Sequence, residues 1–560
     1  MRIMLGILFL STQSFGGPVN ATKSMEQRAA DVLARHTKEI QPLEKTLNLA
    51  WWKANVTGVE ADFKKKEDAQ NRYDEKLADP KYFAEVKTVR DGLPPAGDAL
   101  VRRQIEVLYR QLLEKQVPTD LLKKISAKSN AIESAFNTYR AKVGGKELTD
   151  SAVKGVLKTS LDSKQRKEVW EASKGVGAAV EKDLLELVRL RNDVAKQLGF
   201  SNYAELQLYI AEQEPGAILK LFDDLDALTR GPFAKLKAEM DAVLATNYHI
   251  SVDELRPWHY HDPFFQDAPS VYEADLDSTY KSADIMGICK KFYEGIGLPI
   301  NDVLARSDLY EKKGKSPHAF CTDIDRKGDV RVLANVVPNE QWMSTMLHEL
   351  GHSVYSSKNI PASMPYLLRS ESHILTTEGV AMLFQKFSKS ADFLQSMGVK
   401  VANPAAFDLA GAKLQKAELL VFSRWAQVMF RFEKGLYENP GQDLNKLWYA
   451  LVEKYQGLKK PEGRNSPDYG AKIHIVVAPV YYHNYLMGQL FASQVHHHVV
   501  KEVLKEENPK KASYVGNPKV GQYFKAKVFG PGKSLSWDEL TQFATGEKLN
   551  PQAFAADFAD

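Results

Sequence analysis

The segment "TMLHELGHSVYSS", residues 345–357, places two histidines and a glutamate within a turn and a half of a predicted helix. His348 and His352 are four residues apart, so they share one helix face, and two imidazoles at that spacing can reach one zinc ion. Glu349 projects beside them, where its carboxylate can take a proton from an attacking water. The flanking residues are apolar and small, as a buried active-site helix requires. The pattern predicts a zinc-dependent hydrolase, against the alternative that so short a motif occurs by chance.

A catalytic zinc usually takes three protein ligands and leaves one position open for water. Position 358, where metzincins carry their third histidine, is a lysine, so the third ligand must come from farther along the chain. The candidates are Glu371, His373 and Glu378. Glu378 is favoured because it begins a stretch with helical apolar spacing, 26 residues after His352. Glu371 suits a loop or a supporting position better.

Most of the chain has the apolar spacing of amphipathic helices. The clearest predicted helices cover residues 24–56, 99–113, 182–200 and 217–245. Residues 318–339 differ, because they are rich in strand-forming residues and contain the turn sequence "DRKGD", which predicts a β-hairpin. An extended peptide could join the edge of that hairpin. The sequence therefore predicts a mainly α chain with one small β-sheet beside the histidine helix.

Composition limits the classes of function. The net charge is +4, from 75 basic and 71 acidic side chains, and gives no electrostatic reason to expect a nucleic-acid partner. The apolar fraction of 44% is ordinary for a globular protein. Cys289 and Cys321 allow one disulfide at most, and no cysteine cluster could hold zinc.

The N-terminus resembles a secretory signal. Arg2 precedes a short apolar run, Ile3 to Leu10, and Val19 and Ala21 fit the small-residue pattern of a cleavage site. We therefore predict a signal peptide over residues 1–21 and a secreted or periplasmic location, with the cytoplasm as the alternative. No other apolar run is long enough to span a bilayer, so no membrane span is expected.

Several motifs, in chain order, resemble the angiotensin-converting-enzyme family of zinc peptidyl-dipeptidases, which is related to the thimet-type oligopeptidases. They are "PHAF", 30 residues before the zinc motif, then "HELGH", "TTEGVAML" and "AKIHIVVAPVYYHNYLMGQ". The resemblance runs from about residue 25 to the end of the chain, and its motifs are specific between residues 318 and 490.

The resemblance implies a two-lobed, nearly all-α fold around a deep central channel, made by one catalytic domain over residues 22–560. It implies one Zn²⁺ per chain and the hydrolysis of short peptides, with release of C-terminal dipeptides. Carried over by position, the metal ligands are His348, His352 and Glu378; Glu349 is the general base; His474 and Tyr485 donate to the oxyanion; Lys472 and Tyr482 hold the C-terminal carboxylate; and His318 and Ala319 hold the peptide backbone.

The sequence departs from the family pattern at three places. The tyrosine segment has one extra residue, so the roles of Tyr481, Tyr482 and Tyr485 could be shifted by one. Asn484 replaces the arginine that binds chloride in the family, which argues against chloride activation. Met382 replaces an aspartate four residues after the third ligand, so the partner of a metal-bound histidine must come from elsewhere.

Two other readings of the function stay open at this stage. One is a thimet-type oligoendopeptidase, and the other is a peptide-binding relative without turnover, against which Glu349 argues. The oligomeric state is unknown, and a monomer is compatible with the sequence. We interpret the aromatic-rich segment 257–269 as a packed loop, with contact between Gln266 and a substrate carboxylate as the alternative.

Overall fold

A computed structural model describes residues 23–271 and 275–558 of the chain. It is 68% helical, which confirms the predicted mainly α class. The predicted signal peptide, residues 1–21, lies outside the described residues. Among the residues that are described, no helix combines the length and apolar character that a membrane crossing needs.

The helices follow one another along the chain as α1 (Met25–Thr57), α2 (Glu60–Leu77), α3 (Pro80–Gly92), α4 (Ala99–Glu114), α5 (Thr119–Thr138), α6 (Asp150–Thr159), α7 (Ser163–Gln197), α8 (Tyr203–Ile210), α9 (Pro215–Tyr248), α10 (Asp277–Tyr280), α11 (Ile285–Gly295), α12 (Asn301–Arg306), α13 (Glu340–Tyr355), α14 (Ile374–Gln385), α15 (Ala391–Ser396), α16 (Pro404–Glu438), α17 (Leu444–Leu451), α18 (His474–Val477), α19 (His483–His498), α20 (Pro518–Tyr523), α21 (Trp537–Thr545) and α22 (Gln552–Ala556). The four predicted helices correspond to α1, α4, α7 and α9.

The predicted hairpin is present as strands β3 (Phe320–Asp323) and β4 (Val330–Leu333). The strands are antiparallel, with Phe320 opposite Leu333 and Asp323 opposite Val330. The outer edge of β4 is covered by a parallel bridge to Asp308, and no described strand pairs with the outer edge of β3. The open edge is therefore the one that begins beside residues 318 and 319.

A second hairpin was not predicted. Strands β1 (Ala141–Val143) and β2 (Lys146–Leu148) pair antiparallel across Gly144 and Gly145. Both glycines have positive φ, 55° and 77°, as a two-residue hairpin turn of this kind requires. The prediction of a single small sheet was therefore incomplete, and the signal that could have found this one is the Gly-Gly pair.

The described chain packs around two main apolar cores. The smaller one joins α1 to α5 through residues such as Leu33, Val86 and Leu108. The larger one is built mainly by α7, α9, α11, α13, α14, α16 and α19 and includes the fully buried Trp425. Two cores are compatible with the predicted division into two lobes, and the deep channel between them stays a prediction.

Contacts between distant segments support the hairpin and close the fold. The amide of Asn48, on α1, donates to the carbonyl oxygens of Asp323 and Ile324, over 3.1 and 3.3 Å. Near the other end of the chain, the Arg103 Nε donates to the carbonyl oxygen of Lys533 over 2.9 Å. The first helix thus holds the turn end of β3 in place.

Candidate metal centre and active site

Helix α13 brings the two motif histidines together. Asn339 caps its first turn by accepting a hydrogen bond from the backbone N–H of Trp342, over 2.8 Å. His348 and His352 follow on one face, and their Nε2 atoms lie 3.1 Å apart. The rings are nearly perpendicular, at 83°. The helical spacing predicted from the sequence therefore produces the convergence of the two imidazoles.

Helix α14 supplies the carboxylate. Glu378 Oε2 lies 3.5 Å from His348 Nε2 and 3.9 Å from His352 Nε2. The helices can approach this closely because Gly351 lacks a side chain: a Cβ there would lie 2.8 Å from the Cα of Ala381. The structure thus brings together the three residues predicted as metal ligands, and their ligand atoms all lie within 4.8 Å of one another.

The outer nitrogens of both rings have partners that the sequence analysis missed. His348 Nδ1 lies 2.7 Å from Gln385 Oε1, and His352 Nδ1 lies 2.8 Å from Thr377 Oγ1. Because Gln385 Oε1 can only accept, His348 must carry its proton on Nδ1, which leaves the Nε2 lone pair free. Gln385 stands seven residues after Glu378, two helical turns on, and that spacing could have indicated it.

The donor set fits zinc. Tetrahedral zinc with bonds of about 2.0–2.1 Å to two nitrogens would hold those nitrogens about 3.3 Å apart, close to the 3.1 Å between the two Nε2 atoms. Burial lowers the pKa of His348 to about 4, while the bond to Gln385 opposes that shift. Burial also lowers the pKa of His352 well below its usual value, and the neighbouring His348 adds to the effect. Both rings are therefore neutral near pH 7, as metal ligands must be.

Glu349 lies beside this cluster and faces strand β3. Its side chain is almost fully buried, and burial raises its pKa to about 8, with a further contribution from the charge of Glu378. A backbone hydrogen bond from Cys321 opposes that shift. Burial likewise raises the pKa of Glu378 to about 7. A divalent cation between these carboxylates would favour their ionised forms.

The tyrosine segment lies beside the site, with Tyr481 just before α19 and Tyr485 in its first turn. Tyr481 and Tyr485 form an edge-to-face pair with ring centroids 5.4 Å apart. Burial raises the pKa of both, and the charge of Glu378 raises each further, so both hydroxyls lie near that carboxylate and are neutral donors. His474 Nδ1 is a buried polar atom with no hydrogen-bond partner among the described residues, and such an atom is available to a bound substrate.

Lys472 and Tyr482 form a neighbouring cluster with Gln266. Lys472 Nζ donates a hydrogen bond to Gln266 Oε1 and lies 5.5 Å from the centroid of the Tyr482 ring. Tyr482 is in turn 5.6 Å from Tyr485, centroid to centroid, which links this cluster to the metal ligands. Tyr482 therefore faces Lys472, while Tyr481 and Tyr485 both lie near Glu378, so the division of roles among the three tyrosines stays a prediction. The aromatic-rich segment packs as predicted, and it also delivers Gln266 to this cluster.

The turn before the tyrosines is held in a strained conformation. Val480 has a φ of 55°, in the left-handed region that β-branched residues avoid. Its backbone N–H donates to the buried carboxylate of Glu433 over 2.9 Å. The Arg191 guanidinium donates to the carbonyl oxygens of Ile475 and Val476 over 3.2 and 2.6 Å. Burial raises the pKa of Glu433 to about 8, so the buried pair is an arginine and a mainly neutral carboxyl group. Together they fix the backbone that leads from His474 to the tyrosines.

The remaining candidates lie at the edges of the site. His318 is exposed and Ala319 is partly buried, and both stand at the start of the open edge of β3. His373 caps α14, accepting from the backbone N–H of Leu375 over 3.1 Å, and is not part of the metal cluster. Glu371 lies in the loop before it, and burial raises its pKa. Cys321 and Cys289 are free thiols, so the one possible disulfide is absent.

Comparison with known sequences agrees with this site. The sequence profile of the peptidase M2 family, described as angiotensin-converting enzyme, matches residues 23–252 and 262–559. The chain belongs to the angiotensin-converting enzyme family. That family is one of zinc-dependent metallopeptidases, and the cluster of two histidines and one glutamate is compatible with its metal. Its relation to the thimet-type enzymes stays a prediction.

The similar relatives are distant. An angiotensin-converting enzyme of Mesocricetus auratus is 22% identical over 499 residues, which are 82% of this chain and 37% of the relative. That of Theromyzon tessulatum is 22% identical over 304 residues, 52% of this chain and 48% of the relative. That of Rattus norvegicus is 24% identical over 301 residues, 50% and 22% of the two chains. The chain thus spans between about a fifth and a half of the length of the curated relatives it matches.

Proposed function

We propose that this protein is a zinc metallopeptidase that releases dipeptides from the C-termini of short peptides. The observation that carries the proposal is the convergence of His348, His352 and Glu378 within 4.8 Å, with the buried carboxylate of Glu349 beside them. Family membership supports the metal and the reaction class. We further propose that residues 22–560 act as one catalytic domain.

One zinc ion per chain would be held by His348, His352 and Glu378. When bound, it would polarise the scissile carbonyl and lower the pKa of the attacking water. Glu349 takes a proton from that water and passes it to the leaving amine. Its buried position suits both steps, because a carboxyl group with a raised pKa can accept a proton and release it near neutral pH.

The neutral donors would steady the negative charge that develops on the carbonyl oxygen. Tyr485 keeps its proton because burial and Glu378 raise its pKa, and burial lowers the pKa of His474 to about 4, with a smaller contribution from Lys472. A positioned donor of this kind is typically worth about 3 kcal/mol of barrier. The two groups therefore account for a substantial part of the expected rate enhancement.

The position of the cut would be set by the substrate carboxylate. Lys472, with Tyr482 and Gln266, offers a cation and neutral donors in one place for the C-terminal carboxylate. The peptide would add as a strand to the open edge of β3, where His318 and Ala319 would contact its backbone. A peptide held in this way would present the bond two residues from its end.

The test is the Glu349→Gln variant, assayed by mass spectrometry on a set of short peptides with free C-termini. We expect zinc content to stay at one per chain and turnover to fall by about 10²–10⁴-fold, the usual contribution of a general acid–base group. A chelator should abolish wild-type activity, and added zinc should restore it. A fully active Glu349→Gln enzyme would contradict the mechanism.

The same peptides with amidated C-termini separate this proposal from a thimet-type oligoendopeptidase. We expect amidation to suppress cleavage, because it removes the charge that Lys472 would bind. Equal rates on free and amidated peptides, with internal cuts, would instead support the oligoendopeptidase. Zinc binding without hydrolysis of any peptide would support a peptide-binding relative.

A further inference from the structure

Helix α7 carries a buried lysine that the mechanism does not use. Lys174 is 3% exposed, and its Nζ lies 3.1 Å from the centroid of the Phe264 ring and 5.3 Å from that of Trp170. Within residues 23–271 and 275–558, its ammonium has these two rings as partners and no hydrogen-bond acceptor. The side chain is buried, but Nζ is not among the fully enclosed polar atoms, so a small anion can reach it and would favour its charged form.

Lys174 is a neighbour of the proposed carboxylate anchor. Lys472 Nζ lies 5.6 Å from the centroid of the same Phe264 ring. The two nitrogens are therefore less than about 9 Å apart, which is the sum of their distances to that centroid. Burial is the main cause that lowers the pKa of Lys174, and the positive charge of Lys472 adds to it, as expected for two cations that lie near the same ring.

The acidic groups that face Lys174 are already engaged elsewhere. Asp468 is bound by the Arg464 guanidinium through two hydrogen bonds of 2.7 and 2.6 Å. Asp262 accepts from the backbone N–H groups of Phe264 and Gln266, over 2.8 and 3.0 Å. Both carboxylates raise the pKa of Lys174 at a distance, but neither forms a salt bridge with it. The chain itself therefore leaves the ammonium open to an incoming anion.

We propose that Lys174 and Lys472 together select peptides whose C-terminal residue is glutamate or aspartate. Lys472 would bind the main-chain carboxylate and Lys174 the side-chain carboxylate. The two carboxylate carbons of a glutamate are separated by four bonds of about 1.5 Å, and each ammonium contacts a carboxylate at about 2.8 Å, which fits two nitrogens less than about 9 Å apart. The inference rests on the proposed function and names its substrate class.

The first test compares two peptides that differ only in a C-terminal glutamate or glutamine, which have nearly the same shape. We expect the wild-type enzyme to prefer the glutamate peptide at least about tenfold in kcat/KM, since a site built for a polar group discriminates strongly. Lys174→Met should remove that preference by lowering the rate on the glutamate peptide to that on the glutamine peptide. Zinc content and a thermal melt followed by circular dichroism show whether the variant folds.

Lys182→Met is the matched control, because Lys182 is exposed on the same helix. This substitution should change kcat/KM for neither peptide. Equal wild-type rates on the two peptides would overturn the inference while leaving the peptidase intact. A parallel loss on both peptides in Lys174→Met would also overturn it, because it would show a merely structural role.

The pH dependence gives a second readout. Burial is the main cause that lowers the pKa of Lys174 to about 7; Asp468 and Asp262 oppose the shift, and Arg464 and Lys472 add to it. Lys174 is thus charged below that pH and neutral above it. The ratio of glutamate to glutamine rates should therefore be largest below pH 7 and fall as the pH rises. A ratio independent of pH would contradict the role of this ammonium.

Direct binding of the dipeptide products makes the result independent of turnover. In calorimetry with the full chain, a dipeptide ending in glutamate should bind more tightly than one ending in glutamine, and only in the presence of Lys174. If the glutamate dipeptide binds more tightly but no peptide is cleaved, the proposed peptidase function is wrong and the binding role of Lys174 is supported. If peptides are cleaved but neither cleavage nor binding favours glutamate, the role of Lys174 is wrong and the peptidase function is unaffected.

Discussion

Replacing Gln385 by leucine should weaken zinc binding, although Gln385 is not one of the three predicted metal ligands. Gln385 Oε1 accepts the Nδ1 proton of His348 over 2.7 Å and so sets which ring nitrogen faces Glu378. Leucine has a similar volume and no acceptor, so the ring loses its fixed tautomer and orientation. His348 is mostly buried, and water cannot easily replace the lost partner.

The size of the effect follows from that single hydrogen bond. Leaving a buried N–H without an acceptor costs about 1–3 kcal/mol. Loss of the outer partner of a metal-bound histidine typically lowers metal affinity by about 10–100-fold, or about 1.4–2.8 kcal/mol. The two figures agree, so we expect the zinc dissociation constant to rise by one to two orders of magnitude.

The assay is a zinc competition titration against a chromogenic chelator, with zinc content and residual activity measured on the same samples. Thr377→Val removes the corresponding partner of His352 and should have an effect of similar size. Gln395→Leu makes the same substitution at an exposed position on α15 and serves as the control. A zinc affinity of Gln385→Leu within about twofold of the wild type would refute the reasoning.

Three further predictions concern the surroundings of the site. Asn484 stands where the family has its chloride-binding arginine, and it forms a 2.7 Å hydrogen bond with Gln213. We therefore expect kcat/KM to stay unchanged when chloride replaces acetate at constant ionic strength, and activation by chloride would contradict this. Gly351→Ala should lower the free energy of unfolding by about 1–3 kcal/mol in urea titrations, because the added methyl group would clash with α14. An unchanged free energy of unfolding would show that the two helices can move apart without cost. Glu433→Ala should lower kcat several-fold with zinc content unchanged, because the Val480 N–H loses its acceptor and the tyrosines lose their position; unchanged kcat would refute that role.

Much of the fold and of the metal cluster follows from local sequence pattern. The helical spacing of His348 and His352 predicts their shared face, and the strand formers around "DRKGD" predict the hairpin. Glu378 could be chosen because it stands on its own amphipathic segment. In each case a periodicity within a few residues carries the information.

The partners of these residues could not be predicted in the same way. Gln385 and Thr377 reach the histidines only because α14 crosses α13 closely, and Gln266 meets Lys472 across 206 residues of chain. In the sequence, Lys174 resembles any solvent-exposed lysine of a long helix. Its burial becomes evident only from the packing of the Phe264 ring over its ammonium. These contacts depend on tertiary packing, which a single sequence does not encode locally.

The contacts between segments far apart in the sequence affect when the protein can fold. Asn48 meets the β3 turn across 275 residues, and Arg103 meets Lys533 across 430. The entropy of closing a loop grows slowly with its length, by about 0.6 kcal/mol per doubling, so such distant pairings slow folding more than they weaken the finished protein. During synthesis, the ribosome must release the chain as far as Lys533 before Arg103 can find its partner. This contact should therefore form long after Arg103 has left the ribosome, and chaperones would act on the long unpaired segment between them.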